Sequence, residues 1–239
     1  MKDQFGRRVE YLRISVTDKC NLRCVYCMPM EGLAWLKRED ILSYEEIASV
    51  VRTMAGMGLK RVRLTGGEPL IRRDLPDLVR MISAVPGIED ISLSTNAVLL
   101  ADQAEDLKSA GIQRLNVSLD SLRPDRVDAI SRRPGSFPKI MEGLDAADAV
   151  GFSPLKINVV LIRGQNDDEI EDFARITRER SWHIRFIEMM PTGANLDLSA
   201  NSFISCAEAL RRVRAMESIE PVEGPFGNGP ATYYRFPGA

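Results

Sequence analysis

The sequence predicts an α/β fold with a parallel sheet, a partial (open) TIM-like barrel of about six βα units. Strand-like and helix-like segments alternate six times along the chain, as successive parallel strands with helical crossovers require. The chain has 239 residues, whereas a complete barrel of eight units typically takes about 250 residues. A doubly wound parallel sheet has the same alternation, so the order of elements alone leaves that alternative open.

The six strands are short β-prone segments bounded by turn residues or helices. They are predicted at 9–16, 60–65, 90–95, 112–119, 155–162 and 183–189. Between them, helix boundaries follow from capping residues: Ser43 and Glu46 form a capping box, Asp74 begins the next helix, and Gly111 ends the third. The helices are predicted at 43–57, 74–84, 101–110, 124–131, 137–150, 167–179 and 205–216.

Two regions follow from this assignment. Residues 1–216 form the partial barrel, and residues 217–239 begin a Gly- and Pro-rich C-terminal extension with a strand-like stretch at 231–236. We expect that extension to be truncated, for a reason given below.

Bulk composition excludes several classes of partner. The net charge is −2, which gives no reason to expect nucleic acid or an acidic membrane as a partner. No apolar run reaches the ~18–20 residues that span a bilayer, and the polar N-terminus lacks the apolar core of a signal peptide. We therefore expect a cytoplasmic protein.

The strands alternate between polar and apolar residues, although strands buried on both faces are usually apolar throughout. Arg13, Arg63 and Lys156 each fall on the polar face of a different strand, opposite apolar neighbours. If helices cover the apolar faces, the polar side chains line a shared interior cavity. Guanidinium and ammonium groups gathered there would suit a phosphate-bearing ligand.

Three of the four cysteines lie within eight residues, in the CxxxCxxC segment of Cys20, Cys24 and Cys27 after the first strand. Iron–sulfur cubanes take cysteine thiolates, normally four, so three thiolates leave one iron open to another molecule. A structural zinc site is the alternative, but zinc usually has four ligands in paired spacings. His183 is expected to be a packed strand residue and Cys206 an ordinary thiol, so neither supplies a fourth ligand.

Residues 11–27 (YLRISVTDKCNLRCVYC) followed by Thr65-Gly66-Gly67-Glu68-Pro69 resemble the radical S-adenosylmethionine (SAM) superfamily. Within it, the chain resembles the GTP 3′,8-cyclase family, which acts first in molybdenum cofactor biosynthesis. That likeness extends nearly end to end. It rests on the segments RISVTDKCNLRCVYCMP, RVRLTGGEPLIRRDL, KINVV and RFIEMMP.

The resemblance implies a lyase that converts GTP to (8S)-3′,8-cyclo-7,8-dihydroguanosine 5′-triphosphate through a 5′-deoxyadenosyl radical. Cys20, Cys24 and Cys27 would hold a 4Fe–4S cluster whose open iron binds SAM, and Arg185 would lie near the radical. The cofactor contacts that it implies are Tyr26, Gly67, Ser118 and Met190. Gly66 would also permit close backbone approach to the cofactor, and Glu68 would accept a hydrogen bond from the SAM ammonium. The substrate contacts that it implies are Arg13, Arg63, Ser94 and Lys156.

Partners implied by the resemblance are GTP, an electron donor and the next enzyme of the pathway, for a monomer or a homodimer. The family also carries a second 4Fe–4S cluster beyond the point where this sequence ends, which is why we expect a truncated extension. Position 97 is Ala where the family has Gly. Two alternatives therefore stay open inside the superfamily: an enzyme acting on another substrate, and a SAM-cleaving fragment without cyclase activity. A non-enzymatic metal-binding domain is the third.

Overall fold

Residues 4–29, 31–191, 195–223 and 231–238 are described by a computed structural model, whose main element is a six-stranded sheet. Its six strands are β1 (Tyr11–Ser15), β2 (Arg61–Thr65), β3 (Asp90–Thr95), β4 (Arg114–Ser118), β5 (Leu155–Leu161) and β6 (Trp182–Glu188). They follow one another across the sheet in chain order, with β1 and β6 at its edges. A doubly wound sheet reverses its strand order at a switch point, and this sheet does not, so the open partial barrel is confirmed.

Helices connect the strands and follow the last of them. They are α1 (Tyr44–Gly56), α2 (Leu75–Ser83), α3 (Ala104–Ala110), α4 (Pro124–Ser131), α5 (Ser136–Ala149), α6 (Ile170–Ile176), α7 (Leu196–Ser202) and α8 (Cys206–Met216). Short 3₁₀ turns lie at Arg38–Asp40, Pro69–Ile71 and Asp167–Glu169. In the predicted extension, β7 (Glu220–Val222) and β8 (Tyr233–Arg235) pair antiparallel, while residues 224–230 and 239 lie outside the described residues.

The chain divides into two compact units. The first unit comprises Met1–Leu22, Leu33–Ser118 and Phe137–Leu155. The second unit comprises Arg23–Gly32, Leu119–Ser136 and Lys156–Ala239. In the first unit α2 packs between α1 and α3, and in the second α6 packs against β6 and α8.

Strand register in the first unit confirms the predicted alternation. Val62 on β2 pairs with Ile91 on β3, and Leu64 with Leu93, and all four side chains are buried. On the opposite face, Arg13 of β1 pairs directly with Arg63 of β2. Parallel pairing with matched register therefore collects the polar side chains of neighbouring strands on one face.

Capping residues mark some of the helix boundaries. Ser43 and Glu46 form both bonds of the predicted capping box at α1, and Gly111, with φ of 120°, ends α3. The predicted start of α3 at residue 101 is wrong, because residues 101–103 form turns. The sequence analysis also missed α7, whose seven residues are too few to show a helical period.

None of the described helices is both long and apolar enough to cross a membrane.

Candidate active site

The cysteine segment directly follows β1 and contains no disulfide. Cys20 and Cys24 are half-buried and Cys27 is exposed. The amide nitrogens of Cys27 and Met28 both donate to the carbonyl oxygen of Cys24, at 2.9 and 3.0 Å. This tight turn fixes the backbone between the second and third cysteines.

In the second unit, the cysteine segment is tied to the C-terminal end of α4. The amides of Arg23 and Val25 donate to the carbonyl oxygens of Ser131 and Ile130, both at 2.9 Å. Arg132, which ends α4 in the left-handed conformation, also donates from Nη1 to the carbonyl oxygen of Met28 at 3.1 Å. The thiols at 24 and 27 therefore sit on a backbone held at several points.

Tyr26, a predicted cofactor contact, is the side chain that anchors this turn. Its hydroxyl donates to Oδ2 of buried Asp120 at 2.7 Å, and its carbonyl oxygen accepts from Nδ2 of Asn195 at 2.7 Å. Burial and the neighbouring Asp120 carboxylate raise the pKa of Tyr26 well above its usual value. Burial likewise raises the pKa of Asp120 to about 6, although the hydrogen bonds from Tyr26 and the Val160 amide lower it.

In the first unit, Gly66 and Gly67 lie against the backbone that leads into Cys20. The Gly67 amide donates to the carbonyl oxygen of Thr17 at 2.7 Å, and the Glu68 amide donates to that of Lys19 at 2.8 Å. A Cβ atom on Gly67 would lie 2.1 Å from the Lys19 carbonyl oxygen, and one on Gly66 would lie 2.6 Å from that of Thr17. Both positions therefore exclude a side chain because of this internal contact. The predicted role of these glycines in binding a cofactor stays a prediction.

Glu68 is buried, and its carboxylate is engaged inside the first unit. Oε1 accepts from the Leu70 amide at 3.0 Å and from Oγ1 of Thr95 at 2.7 Å, while Oε2 accepts from the Asn96 amide at 2.7 Å. Burial raises the pKa of Glu68, although these hydrogen bonds oppose that shift. The carboxylate thus joins the Gly-Gly segment to the end of β3, and its predicted contact with a SAM ammonium stays a prediction.

Asn96 follows β3 and reaches the cysteine segment, which sequence reasoning did not foresee. Its Nδ2 donates to Oδ1 of Asn21 at 2.8 Å and lies 3.8 Å from Sγ of Cys20. The Leu22 amide also donates to Sγ of Cys20, at 3.4 Å. A hydrogen bond between residues 76 positions apart leaves no periodic trace in the sequence.

Ala97, where the resembled family has Gly, adopts φ of 62°. This left-handed conformation costs a non-glycine residue roughly 1–2 kcal/mol, which explains why glycine suits the position. The loop is nonetheless packed tightly, since a Cβ atom on Gly143 of α5 would lie 2.4 Å from the Ala97 carbonyl oxygen.

The predicted substrate residues of the first unit lie on its polar sheet face. Arg13 is exposed, and among the described residues its guanidinium has no hydrogen-bond or ion-pair partner. Arg63 is half-buried, donates to Oγ of Ser92 at 3.3 Å, and stacks 5.4 Å from the Tyr11 ring centroid. Ser94 lies on the same face as Ser92, two residues further along β3. Two like charges side by side disfavour each other, so a bound anion would stabilise this pair.

A second basic group lies on β5 and β6 in the second unit. Lys156 is buried, and Arg185 donates from Nε to the Tyr233 hydroxyl at 3.0 Å. His183 packs edge-on against the Tyr233 ring, 6.0 Å between centroids. Burial, followed by the charges of Lys156 and Arg185, lowers the pKa of His183. This histidine is a packed strand residue, as expected.

Three other predicted positions differ in environment. Ser118, at the end of β4, is exposed, and Met190 is 72% exposed, so both are accessible to a ligand. Cys206 begins α8, where its thiol donates to the Phe186 carbonyl oxygen at 3.4 Å. It is an ordinary half-buried thiol, as expected.

The Cys, His, Asp and Glu side chains are the candidate ligands for a metal. Within the described ranges, no three Cys, His, Asp or Glu side chains converge closely enough to hold one metal ion. A structural zinc ion would need such convergence, since its thiolates lie about 2.3 Å from a single ion. A cubane does not require it, because each thiolate binds a different iron at a separate corner. Cysteine thiols that form no disulfide are the ligand type that such a cluster takes.

Comparison with known proteins gives one family. The sequence model of the radical SAM superfamily matches residues 14–176. A GTP 3′,8-cyclase of Listeria monocytogenes serotype 4b is 51% identical over an alignment covering 100% of this chain and 72% of that protein. The GTP 3′,8-cyclase of Moorella thermoacetica is 48% identical, with coverage of 100% and 73%.

Solved structures share the fold at low identity. The FeFe-hydrogenase maturase HydG from Carboxydothermus hydrogenoformans superposes with a TM-score of 0.65 at 17% identity, over 86% of this chain and 50% of that one. Streptococcus suis SuiB bound to S-adenosylmethionine gives a TM-score of 0.65 at 18% identity, over 87% and 46%.

Proposed function

The chain belongs to the GTP 3′,8-cyclase family of the radical SAM superfamily, and on that premise we propose that it converts GTP to the 3′,8-cyclised nucleotide of molybdenum cofactor biosynthesis. The observation that carries the proposal is the CxxxCxxC segment after β1, in a chain 51% identical to a GTP 3′,8-cyclase across its whole length. The enzyme is accordingly a lyase that requires a 4Fe–4S cluster, SAM and a one-electron donor.

Cys20, Cys24 and Cys27 would hold one 4Fe–4S cluster and leave one iron for SAM. When bound, this pair supplies the 5′-deoxyadenosyl radical that begins the reaction, and the protein supplies position and exclusion of water. The turn at Cys24–Met28 and its bonds to α4 support this role because they fix two of the thiols. Zinc is the weaker candidate. In the part of the chain that the structure describes, no three potential ligands lie close enough together to bind one ion.

The remaining cofactor contacts follow family membership. Tyr26, Gly66, Gly67, Glu68, Ser118 and Met190 are proposed to contact or position SAM. Ser118 and Met190 are exposed, which suits direct contact. Glu68 and the side chain of Tyr26 are bonded to other residues, which suits positioning of the loops.

Arg13 and Arg63 are proposed to bind the triphosphate. They are paired residues of adjacent strands on the polar face, and guanidinium forks match phosphate oxygens. Ser94 on the same face supplies a hydroxyl. Lys156 and Arg185 form the second basic group, and Arg185 is proposed to lie near the reacting sugar.

Reconstitution with iron and sulfide without oxygen, followed by reduction and addition of SAM and GTP, tests the proposal. We expect about four irons per Cys20–Cys27 segment, as for a cubane, together with 5′-deoxyadenosine and cyclised nucleotide in chromatography. Cys24→Ala should abolish the iron and both products, whereas Cys206→Ala should retain them. Full iron in Cys24→Ala, or loss of iron in Cys206→Ala, would contradict the ligand assignment.

A further inference from the structure

We infer that Asn96 is a positioning residue for Cys20, and that its side-chain amide raises the reduction potential of a cluster bound through that thiolate. The inference rests on the proposed function, because it takes Cys20 to be a cluster ligand. It concerns a residue outside the cysteine and Gly-Gly segments, contributed by the loop after β3.

The contact lies wholly within the first unit. Nδ2 of Asn96 lies 3.8 Å from Sγ of Cys20 and 2.8 Å from Oδ1 of Asn21. An amide nitrogen carries two hydrogens, so both acceptors can be served at once. The second bond orients the amide plane, and the first places an N–H against the sulfur.

Asn96 itself is held from three sides. Its backbone amide donates to Glu68 at 2.7 Å, and its Oδ1 accepts from the Val98 amide at 3.1 Å in an Asx-type turn. Its side chain is buried, with 8% of its surface exposed. Because its oxygen is committed to Val98, the nitrogen must face the cysteine segment. The hydrogen bond from the Val98 amide therefore fixes which end of the Asn96 side-chain amide faces Cys20.

Hydrogen bonds to cluster sulfurs are one of the protein's means of setting a cluster potential. An N–H donor withdraws charge from the thiolate and stabilises the reduced cluster, which carries one more negative charge. Such outer contacts also orient the ligand itself. Loss of the donor should therefore shift the midpoint potential in the negative direction and slow reductive SAM cleavage at a fixed concentration of reductant.

Two substitutions of Asn96 separate the effect of losing the amide donor from the effect of adding a negative charge. Asn96→Ser and Asn96→Asp each keep an oxygen for the Val98 amide and lack the amide donor, but only Asp adds a charge. Asn201→Ser on α7, whose Nδ2 donates to the Asp197 carbonyl oxygen, is the matched control. Each reconstituted protein is titrated for its midpoint potential by electron paramagnetic resonance without SAM or GTP, and its iron content and unfolding temperature are measured.

We expect a more negative potential in both Asn96 variants at full iron content, and no change in Asn201→Ser. If Asn96→Ser keeps its fold but binds no iron, while the control Asn201→Ser binds iron, that result would also support a role of Asn96 in positioning Cys20. An unchanged potential in Asn96→Ser, or a shift confined to Asn96→Asp, would overturn the inference.

If Asn96→Ser does not fold, Asn21→Ala decides the question. It removes the acceptor that orients the amide, so a smaller negative shift is expected, and an unchanged potential would overturn the inference. Absence of iron from the wild-type protein would instead refute the proposed function, so the two failures are distinguishable.

Discussion

Asp120 is a residue whose acid–base chemistry the fold changes. It is buried, accepts from the Tyr26 hydroxyl and the Val160 amide, and has a pKa raised to about 6. A folded-state pKa above the unfolded value means that the folded protein binds this proton more tightly. The resulting stability is fully present below about pH 4, the ordinary range of Asp, and is lost as pH rises through about 6.

Asp120→Asn should remove this pH dependence. The amide can donate to the Tyr26 hydroxyl and accept from the Val160 amide, so the geometry is retained. Between pH 4 and 7, the wild-type protein should lose up to about 3 kcal/mol relative to the variant, from about 1.4 kcal/mol per pKa unit. Denaturant unfolding of both proteins across that range measures the difference. A constant difference would show that Asp120 titrates normally.

A substitution of Arg63 tests the proposed phosphate site. Arg63→Ala should weaken GTP binding about 10- to 100-fold, since hydrogen bonds to charged groups contribute about 1.5–3 kcal/mol. SAM cleavage without GTP should be unchanged. Arg175→Ala is the control, because Arg175 pairs with Asp172 on an exposed part of α6.

Equilibrium binding of GTP to both variants measures the effect. Unchanged GTP affinity in Arg63→Ala would contradict the phosphate role, and loss of the cluster would show that Arg63 is structural.

Side-chain patterns in the sequence predicted some of these residues and missed others. The polar faces of Arg13 and Arg63 follow from the period of two along a strand, and the structure confirms them. Asp120 and Asn96 act through hydrogen bonds to residues 94 and 76 positions away. Such pairs depend on how the chain folds back, and no local pattern encodes them.

At the scale of elements, the Gly66-Gly67 segment packs tightly against the loop that follows β1. It extends the pairing of β1 and β2, since the Val16 amide donates to the Thr65 carbonyl oxygen and the Gly67 amide to that of Thr17. The start of the cysteine segment therefore takes its position from β2. The sequence associated these glycines with a cofactor. The structure adds a second reason for glycine at both positions, which is their close packing against the backbone of Thr17 and Lys19.

Gly67→Ala should displace the cysteine segment. The new Cβ atom would lie 2.1 Å from the Lys19 carbonyl oxygen, and backbone cannot yield as a flexible side chain does. We expect iron content to fall several-fold. Gly56→Ala is the matched control, because its Cβ atom at the end of α1 would meet nothing within 4 Å. Alanine there favours the helix by about 1 kcal/mol.

Iron content and unfolding temperature of both variants check this prediction. Normal iron in Gly67→Ala would show that the loop accommodates a side chain.

Across the whole molecule, the order of strands and helices was predictable because the strands and the longer helices carry their own periods, and Ser43 and Gly111 mark two helix boundaries. The sheet order then distinguished a partial barrel from a doubly wound sheet, which the alternation of elements had left open. The short elements α7, β7 and the 3₁₀ turns were not predicted, since three to seven residues depend on packing more than on local pattern. Family membership, carried by long sequence segments, specifies the reaction more narrowly than the fold does.

Label transfer from GTP to SAM-derived product tests the central claim most directly. A bond between C3′ of the ribose and C8 of the base requires the hydrogen at C3′ to leave, and a 5′-deoxyadenosyl group is its acceptor. The reconstituted, reduced protein should therefore convert SAM and C3′-deuterated GTP into deuterated 5′-deoxyadenosine, with an equal amount of cyclised nucleotide, as mass spectrometry would show. Unlabelled 5′-deoxyadenosine without cyclised nucleotide, or no 5′-deoxyadenosine from iron-loaded protein, would contradict the account.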